Sequence, residues 1–450
     1  MQITGKTASE IFDSVRTLVQ LGEFTPGRPL PTVRDLAATL GVNRNTVSLA
    51  YQRLVAAGVA VTQGRLGTVI RAPEGATEQE GMLPGSPLID LASGNPALAW
   101  LPDLGAVMAA RPYRPRLYGE PPVDPELEAL GRQWLAPDAL GDFALNLTHG
   151  AVDAVERLLA AYLMPGDMVA VEDPCFLGSI NTLRVQGLTA AAVAMDEEGM
   201  QPDALAQALA QGAQAVIVTP RAQNPTGCSL SAARARALQA VLTKHPHVLV
   251  IVDDHFSLLS AGEYQNVLSS QTRRWALVRS VSKMLGPDLR LAFVASDVQT
   301  SERLRLRLSG GTTWVSHLLQ DAVIACLSSS DVAARVAAAR ADYARRRATM
   351  AEALEVQGIA CQMPADGLSL WVPLPQSGQA IAAAMARMGW LVRAGEAFGI
   401  AAPAQGLRIT VAALELAEFD RFAACLRQIV GCCGLAASVD AQASAGHVPA

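Results

Sequence analysis

Lysine is scarce in this 450-residue chain, which contains only Lys6, Lys244 and Lys283. The seven cysteines lack the paired spacing of a zinc site or a disulfide framework, so reduced thiols are expected. No apolar run approaches the roughly 20 residues that cross a bilayer, and no signal pattern opens the sequence. We therefore expect a cytoplasmic globular protein. Half of its residues are hydrophobic, enough for a sizeable core and more than one domain.

Charge is distributed unevenly along the chain. The formal net charge is −5, yet residues 1–71 carry eight basic and four acidic side chains, which leaves −9 on the remainder. A basic segment joined to an acidic body indicates a part that binds nucleic-acid phosphates, attached to a part with another role.

Three helical patterns open the chain, each with its own start or stop signal. The first ends before Gly22, a second begins after the N-cap residue Thr32 and ends at Gly41, and Asn43 caps a third. Two short helices joined by a tight glycine turn form a helix–turn–helix. The residues expected to face inward are Ile11, Val15, Leu18 and Val19 in the first helix and Val47, Tyr51, Leu54 and Val55 in the third.

Short apolar strands at 59–62 and 68–70, separated by the turn 63–67, predict a β-hairpin wing and hence a winged helix. The N-terminal end of the third helix would meet base edges and phosphates. Arg34 and Arg65 would contact the DNA backbone or the minor groove, although a solvated face explains either arginine taken alone. The candidate DNA-binding residues are Arg34, Asn43, Arg44, Asn45, Thr46, Ser48, Gly64 and Arg65.

This segment resembles the GntR-type DNA-binding domain along its whole length. The stretches that carry the resemblance are 30–37, 41–47 and 51–54. The resemblance implies binding to an operator in double-stranded DNA.

A different architecture follows the basic segment. Residues 72–87 are rich in Pro, Gly, Glu and Thr, which predicts a flexible connector. Beyond it, apolar runs alternate with helical patterns, as is typical of an α/β domain with a largely parallel sheet whose ligands bind at the carboxyl ends of the strands. The predicted strands are 168–171, 190–193, 215–218, 248–252 and 275–278.

One of the three lysines lies in a distinctive motif. A predicted strand leads into Ser280, Ser282 and Lys283, a Gly-Pro turn follows, and Arg290 precedes a second apolar run. An amine at a strand end, beside hydroxyls and an arginine, is expected of a Schiff-base lysine next to a phosphate site. The alternative is a surface lysine in a loop.

The residues around this lysine resemble the lysine region of fold-type I enzymes that depend on pyridoxal 5′-phosphate (PLP). The resemblance implies that Lys283 holds PLP as an internal aldimine and that Ser280 and Arg290, with Ser282 beside them, hold its phosphate. Asp253 directly follows a predicted strand, where a carboxylate can keep the pyridine nitrogen protonated. A buried structural aspartate is the alternative.

Further contacts follow from the same resemblance. Asn224, in Asn-Pro-Thr-Gly, corresponds to the asparagine on the cofactor's phenolic oxygen, and Phe176 to the aromatic ring that stacks on the cofactor; a plain turn and a core phenylalanine are the alternatives. Tyr118 is similar to the tyrosine that reaches the phosphate of the neighbouring subunit, which implies a homodimer. Arg408 resembles the arginine that binds a substrate α-carboxylate through a bidentate pair, with a surface salt bridge as the alternative.

Three features depart from the family pattern. His255 stands where a tyrosine usually donates to the phenolic oxygen; an imidazole can donate that bond, with a charge that varies near neutral pH. The phosphate loop is Gly150-Ala151-Val152, so only backbone amides at the helix start remain as donors. Phe176 keeps the stacking and lacks a tyrosine's hydroxyl. We therefore expect weaker cofactor binding than in a dedicated aminotransferase.

The order of these parts is similar to that of the MocR subfamily of GntR-type transcriptional regulators, some of which regulate vitamin B6 metabolism. The resemblance implies an N-terminal winged helix–turn–helix fused to an α/β, fold-type I aminotransferase-like domain. The expected boundaries are 1–71 for the DNA-binding domain, 72–88 for the linker, 89–432 for the PLP-binding effector domain and 433–450 for a disordered tail.

Three functions are consistent with the sequence. In the first, PLP on Lys283, alone or with an amine, amino acid or B6 vitamer, shifts dimer geometry and operator affinity. In the second, the protein is a PLP-dependent aminotransferase with an accessory DNA-binding domain, and the altered phosphate loop and His255 weigh against it. In the third, the large domain is only a dimerisation scaffold. No metal is expected, since His245 and His247 have no evident third ligand.

Overall fold

The computed structural model describes residues 2–57, 59–62, 67–70, 81, 85–109, 111–112 and 114–431. The chain divides into two compact units, Met1–Glu78 and Gln79–Ala450, and the division falls inside the predicted linker. Most of that linker, the predicted tail, and the candidate residues Gly64 and Arg65 lie outside the described residues.

The first unit contains helices and a small antiparallel sheet. Its elements are α1 (Ala8–Gln20), α2 (Val33–Leu40), α3 (Arg44–Ala56), β1 (Ala60–Thr62) and β2 (Thr68–Ile70). Side-chain oxygens of Thr7, Thr32 and Asn43 accept hydrogen bonds from first-turn backbone amides and so begin the three helices. Gly41 ends α2 with φ of 62°, a left-handed conformation that glycine adopts without steric cost. The predicted helix–turn–helix and its N-caps are confirmed.

The core of this unit confirms most of the predicted inward-facing residues. Ile11, Val15 and Leu18 of α1 are buried together with the α3 residues Val47, Tyr51 and Leu54. The prediction for Val55 is wrong, because its side chain is 39% exposed. Val55 is one residue beyond Leu54 and lies about 100° further around the helix, outside the face that packs on α1 and α2.

The strands of the second unit are, in chain order, β3 (Ile89–Asp90), β4 (Ala144–Thr148), β5 (Met168–Asp173), β6 (Thr189–Asp196), β7 (Gly199–Met200), β8 (Ala215–Val218), β9 (Leu249–Asp253), β10 (Arg274–Ser280), β11 (Ala292–Ser296), β12 (Ser369–Val372), β13 (Trp390–Leu391), β14 (Arg393–Ala394) and β15 (Leu407–Thr410). Eight of them form one sheet in the order β4-β11-β10-β9-β8-β5-β6-β7. From β10 to β6 all neighbours are parallel, which confirms the predicted largely parallel sheet.

Two features of this sheet were not predicted. Strand β11 runs antiparallel to β10 and β4, because the short connection after β10 turns back directly and a parallel return needs a longer crossover. Strand β4 was missed because the polar Asn146 interrupts its apolar run. The Asn146 side chain is buried and donates to Ser301 Oγ at 2.7 Å.

Helices cover both faces of the large sheet. The helices of the second unit are α4 (Leu104–Ala109), α5 (Pro125–Leu135), α6 (Ala151–Tyr162), α7 (Leu177–Gln186), α8 (Pro202–Ala210), α9 (Ala232–Thr243), α10 (Ser282–Leu285), α11 (Val298–Ser309), α12 (His317–Leu327), α13 (Ser330–Val356) and α14 (Gly378–Arg387). In β8, Val216 and Val218 join one hydrophobic cluster, while Ala215 and Ile217 join the cluster on the opposite face. Burial on both faces explains why the strands read as continuous apolar runs.

The C-terminal part of the second unit has its own core. Strands β12, β15 and β14 form an antiparallel sheet, and β13 pairs in parallel with β3. Met350 and Leu354 of α13 pack there with Ile381 of α14 and with Phe419 and Phe422.

Within the described ranges, no single helix is long and apolar enough to cross a membrane, although α12 and α13, bent by 77°, pass that test of length and composition as a pair. No group of three or more His, Cys, Asp or Glu side chains that could hold a metal occurs in the same ranges.

A buried charge network lies behind the carboxyl end of the large sheet. Arg221 donates to both carboxylate oxygens of Asp254, at 2.7 and 2.8 Å, and Arg279 Nε donates to Oδ2 at 2.8 Å. Arg279 also donates to the Trp134 carbonyl at 2.7 Å and to the carboxylate of Asp138. Because Asp254 is fully buried, these donors replace all of its water.

We predict that Asp254→Ala lowers the free energy of unfolding by about 3–5 kcal/mol, because two buried guanidinium groups lose their shared carboxylate. Urea unfolding followed by tryptophan fluorescence reports this change, since all six tryptophans lie in the second unit. The control Glu128→Ala removes an exposed ion pair with Arg132 and should cost no more than about 0.5 kcal/mol. Equal losses in the two variants would contradict the prediction.

Candidate functional site

Several predicted site residues meet at the carboxyl end of the large sheet. Asp253 ends β9, Lys283 lies on α10 just after β10, and Asn224 lies in the loop after β8. Asn224, His255 and Lys283 line one cavity, because parallel neighbouring strands deliver their following loops to the same edge. Other residues lining this cavity include Gly94, Phe256, Asp366 and Gly367.

The Lys283 amine points to a backbone oxygen within this region. Its Nζ donates to the carbonyl oxygen of Gly94 at 2.7 Å, and the side chain is half-buried. Upstream, Ser280 Oγ donates to Ser282 Oγ at 3.0 Å and accepts from the Ser282 amide at 3.2 Å. The two hydroxyls therefore shape the turn that begins α10.

Asp253 is buried, with 7% of its surface exposed, and its Oδ1 has no hydrogen-bond donor. The imidazole of His255 lies beside it: its Nδ1 is 3.5 Å from that oxygen and is itself buried without a hydrogen-bond partner. Burial lowers the pKa of His255, but the combined influence of Asp253 and Asp254 outweighs burial, so the pKa is raised overall. The free acceptor on Asp253 matches the N–H of a protonated pyridine ring.

The rings of Phe176 and His255 face each other across this site. Their centroids are 6.5 Å apart and their planes differ by 19°. Two ring–ring contacts of about 3.5 Å span a similar distance, so the gap suits one flat ring. Gly178 lies against the Phe176 ring: a Cβ there would lie 2.4 Å from Phe176 Cε1. We call this gap between Phe176 and His255 the ring slot.

A cradle for an anion lies at the start of α6. Gly150 precedes the helix with φ of 93°, and Arg290 Nη2 donates to the His149 carbonyl at 3.1 Å. A Cβ on Gly150 would lie 2.8 Å from Arg290 Nη2, so only glycine admits the guanidinium this close. Ala151 and Val152 contribute backbone amides at the positive end of the helix. This arrangement suits a phosphate group.

Arg408, on β15, is 1% exposed and reaches the loop after β8 that carries Asn224. Its Nη1 donates to Asn224 Oδ1 at 2.9 Å, and its Nη2 donates to the Ala92 carbonyl. Tyr118 lies elsewhere: it is 93% exposed, packs edge-to-face on Trp314 at 5.6 Å, and does not line the cavity. The structure thus links Arg408 to Asn224 and leaves Tyr118 on the surface of the chain.

In the first unit, most of the described DNA-binding candidates lie at the N-cap and in the first turns of α3, and Arg34 lies in the first turn of α2. Arg34, Arg44 and Asn45 are exposed, whereas Thr46 and Ser48 are half-buried. Asn43 is exposed as well, and its Oδ1 accepts from the Asn45 amide at 2.9 Å. The starts of α2 and α3 therefore each present an exposed guanidinium group, which suits phosphate contacts.

Comparison with known proteins matches both parts of the chain. Residues 7–70 match the family described as bacterial regulatory proteins, gntR family, and residues 86–426 match aminotransferase class I and II. The vitamin B6 salvage pathway transcriptional repressor PtsJ of Salmonella typhimurium is 53% identical over 95% of this chain and 99% of its own. The chain belongs to the MocR-type regulators.

More distant relatives agree with this MocR-type assignment. The HTH-type pyridoxine biosynthesis transcriptional regulator PdxR of Corynebacterium glutamicum is 28% identical, over 77% of this chain and 78% of its own. Kynurenine aminotransferase of Pyrococcus horikoshii superposes with a TM-score of 0.69 at 21% identity, covering 77% of this chain and 91% of that one. The α-aminoadipate aminotransferase LysN of Thermus thermophilus gives 0.67 at 23% identity, covering 78% and 93%. These two structures establish the aminotransferase fold of the second unit.

Several residues of this MocR-type site carry no signal in the sequence. Gly94 contributes only a carbonyl, so no side-chain pattern marks it. Gly178 matters through its contact with the Phe176 ring two residues earlier, and Phe256 matters because it lines the cavity. The charge network did leave a signal, because Arg221, Asp254 and Arg279 each lie within three residues of a predicted site residue.

We predict that Gly150→Ala weakens PLP binding about tenfold or more, because the new methyl group displaces the Arg290 guanidinium from the cradle. Gly166→Ala is the matched control: Gly166 has a similar φ of 96°, with no atom within 4 Å of the added Cβ. Both variants place an alanine at a similar positive φ, and only the first disturbs the cradle. Fluorescence titration measures the two affinities, and equal losses would show that strain alone is responsible.

Proposed function

We propose that this MocR-type transcriptional regulator binds PLP covalently at Lys283 and that the bound cofactor alters the affinity of a homodimer for operator DNA. The observation that carries the proposal is the buried Asp253 Oδ1, which has no hydrogen-bond donor and lies beside the ring slot. An unpaired buried acceptor is costly in a folded protein, and the N–H of a protonated pyridine would satisfy it.

In this proposal each residue at the sheet edge has a separate task. The Lys283 amine, which donates to the Gly94 carbonyl in this structure, would hold PLP covalently through the aldehyde carbon, with loss of one water molecule. Asp253 would accept the pyridinium N–H, and Asn224 would bind the phenolic oxygen. Phe176 and His255 would pack on the two faces of the ring. We thus give His255 a stacking role, in place of the hydrogen bond expected from the sequence.

The phosphate-binding task falls to the cradle at the start of α6. Arg290 supplies the charge and Gly150, Ala151 and Val152 supply backbone amides, with Ser280 and Ser282 at the start of α10 completing the set. When PLP is bound, its protonated pyridine ring supplies an electron sink that withdraws electrons from the aldehyde carbon. Tyr118, exposed on this chain, would reach the phosphate held by the other subunit of the dimer.

The effector is proposed to be PLP, alone or with an amine, amino acid or B6 vitamer. PtsJ is named for vitamin B6 salvage and PdxR for pyridoxine biosynthesis, which supports a B6-linked role here. Arg408 is available to a ligand carboxylate if it exchanges its bond to Asn224. Regulation then requires that the ligand bind the DNA-competent and DNA-incompetent states with different affinity.

An aminotransferase is the second candidate function, favoured by the fold of the second unit and by the placement of Arg408 near Asn224. Weaker phosphate anchoring by Ala151 and Val152 argues against efficient turnover. A steady-state assay with a panel of amino donors and keto-acid acceptors separates the two. Multiple turnovers would support the enzyme, and none across the panel would eliminate it.

We predict that borohydride reduction of the PLP-loaded protein fixes one pyridoxyl group per chain on Lys283, because its amine lies in the same cavity as Asn224 and His255. Mass spectrometry of the digested protein locates the group. Lys244→Ala, which changes a lysine outside this site, is the control and should label normally. Equal labelling of wild type and Lys283→Ala would contradict covalent binding at this position.

We predict that Arg44→Ala lowers operator affinity by about five- to hundredfold and reduces the salt slope by about one, since the exposed guanidinium at the start of α3 contacts DNA. Arg53→Ala removes the same charge from the last turn of the same helix and should change affinity little. Fluorescence anisotropy at several salt concentrations gives both quantities. Indistinguishable variants would argue against this end of α3 as the recognition surface.

A further inference from the structure

The ring slot and the imidazole of His255 share one carboxylate. Asp253 Oδ1 lies 3.5 Å from His255 Nδ1, and neither atom has a hydrogen-bond partner. Asp253 also borders a second cavity, which Phe176 and Gly178 line. The same oxygen therefore lies within reach of a proton on His255 and of a proton on a ring held in the slot.

The other charged groups around His255 do not replace this carboxylate. Asp254, next along the chain, is already paired with Arg221 and Arg279. From α10, the Lys283 ammonium opposes a positive charge on His255. Phe176, on the opposite wall, is uncharged.

Asp366, which lines the same cavity as His255, is paired with Arg347. Glu172 lies at the end of β5, and burial raises its pKa to about 7 although it accepts a hydrogen bond from the Thr219 amide, which lowers the pKa. Around neutral pH this side chain is therefore substantially protonated. Asp253 is the carboxylate in this group that has no arginine partner and has an oxygen without a hydrogen-bond donor.

We propose that protonation of His255 and binding of a protonated pyridine ring in the slot exclude one another, because each cation requires the carboxylate of Asp253. This inference rests on the proposed binding of PLP. With the ring seated, an imidazolium would lie face to face with a pyridinium at about 3.5 Å in a site largely closed to water, and one carboxylate cannot neutralise both. The neutral imidazole retains its stacking contact, so His255 releases its proton when the ring binds.

A definite pH dependence follows from this exchange. In the ligand-free protein the pKa of His255 is raised by Asp253, so the imidazolium competes with the ring below that pKa. Affinity is then lowest in mildly acidic solution, rises by up to about tenfold per pH unit, and becomes constant once His255 is neutral. The regulator would thereby bind its ligand less readily as the pH falls.

Calorimetric titration of the intact protein with PLP, from pH 6 to 8.5 and in buffers of different ionisation enthalpy, measures affinity and proton release together. His255→Phe keeps a flat ring on the wall and removes the titrating group, and His255→Tyr is a second variant of the same kind. PLP has its own titrating groups, which cancel when wild type and variant are compared. Gly178→Ala, whose added methyl group displaces the Phe176 ring, tests the slot itself.

The expected result is a steeper rise of affinity with pH in wild type than in either aromatic variant, with extra proton release near neutral pH, and loss of binding in Gly178→Ala. Parallel pH profiles in wild type and both variants would overturn the exchange while leaving PLP binding intact. Absence of PLP binding by wild type at every pH would overturn the proposed function as well.

Discussion

Asp254 accepts hydrogen bonds from Arg221 and Arg279, and each member of this trio adjoins a segment that carries site residues. Arg221 begins the loop that leads to Asn224. Asp254 stands between Asp253 and His255, and Arg279 precedes the serine pair and Lys283. The network therefore fixes the ends of three parallel strands relative to one another. Side chains far apart in sequence, such as Asn224, His255 and Lys283, consequently line one cavity. Its strength comes from complete burial, where an unpaired charge would be prohibitively unfavourable.

Asp253, the neighbouring aspartate, differs from Asp254 in its hydrogen bonding. Asp254 has every oxygen satisfied, whereas Asp253, one residue earlier, has an oxygen without a donor. The Asp254 carboxylate stabilises the fold, whereas Asp253 Oδ1 lacks a hydrogen-bond donor that a ligand can supply. A site organised like this gains free energy on binding a protonated ring, and in a regulator that free energy is available to shift a conformational equilibrium.

Most of the fold followed from local patterns in the sequence. Thr32, Gly41 and Asn43 marked helix ends through their own side chains or conformations, and continuous apolar runs marked the doubly buried strands. Motifs around Lys283 and Asn224 likewise marked the edge where they meet. What stayed hidden depended on contacts that no local motif marks: the parallel approach of His255 to Phe176 from a distant segment, and the close contact of Gly178 with the Phe176 ring. The helical periodicity along α3 could not show that Val55 is exposed. The packing of the neighbouring helices decides which edge of the apolar face is covered.

The central claim is that ligand occupancy at Lys283 controls DNA binding by the first unit. Its most direct test is the operator affinity of wild type and Lys283→Ala, with and without PLP at fixed salt, on a duplex that the wild-type protein selects from a random pool. The account predicts that PLP shifts the affinity of wild type by about five- to 150-fold, the range of typical coupling energies, and leaves the variant unchanged. An operator affinity of wild type that is the same with and without PLP would contradict it.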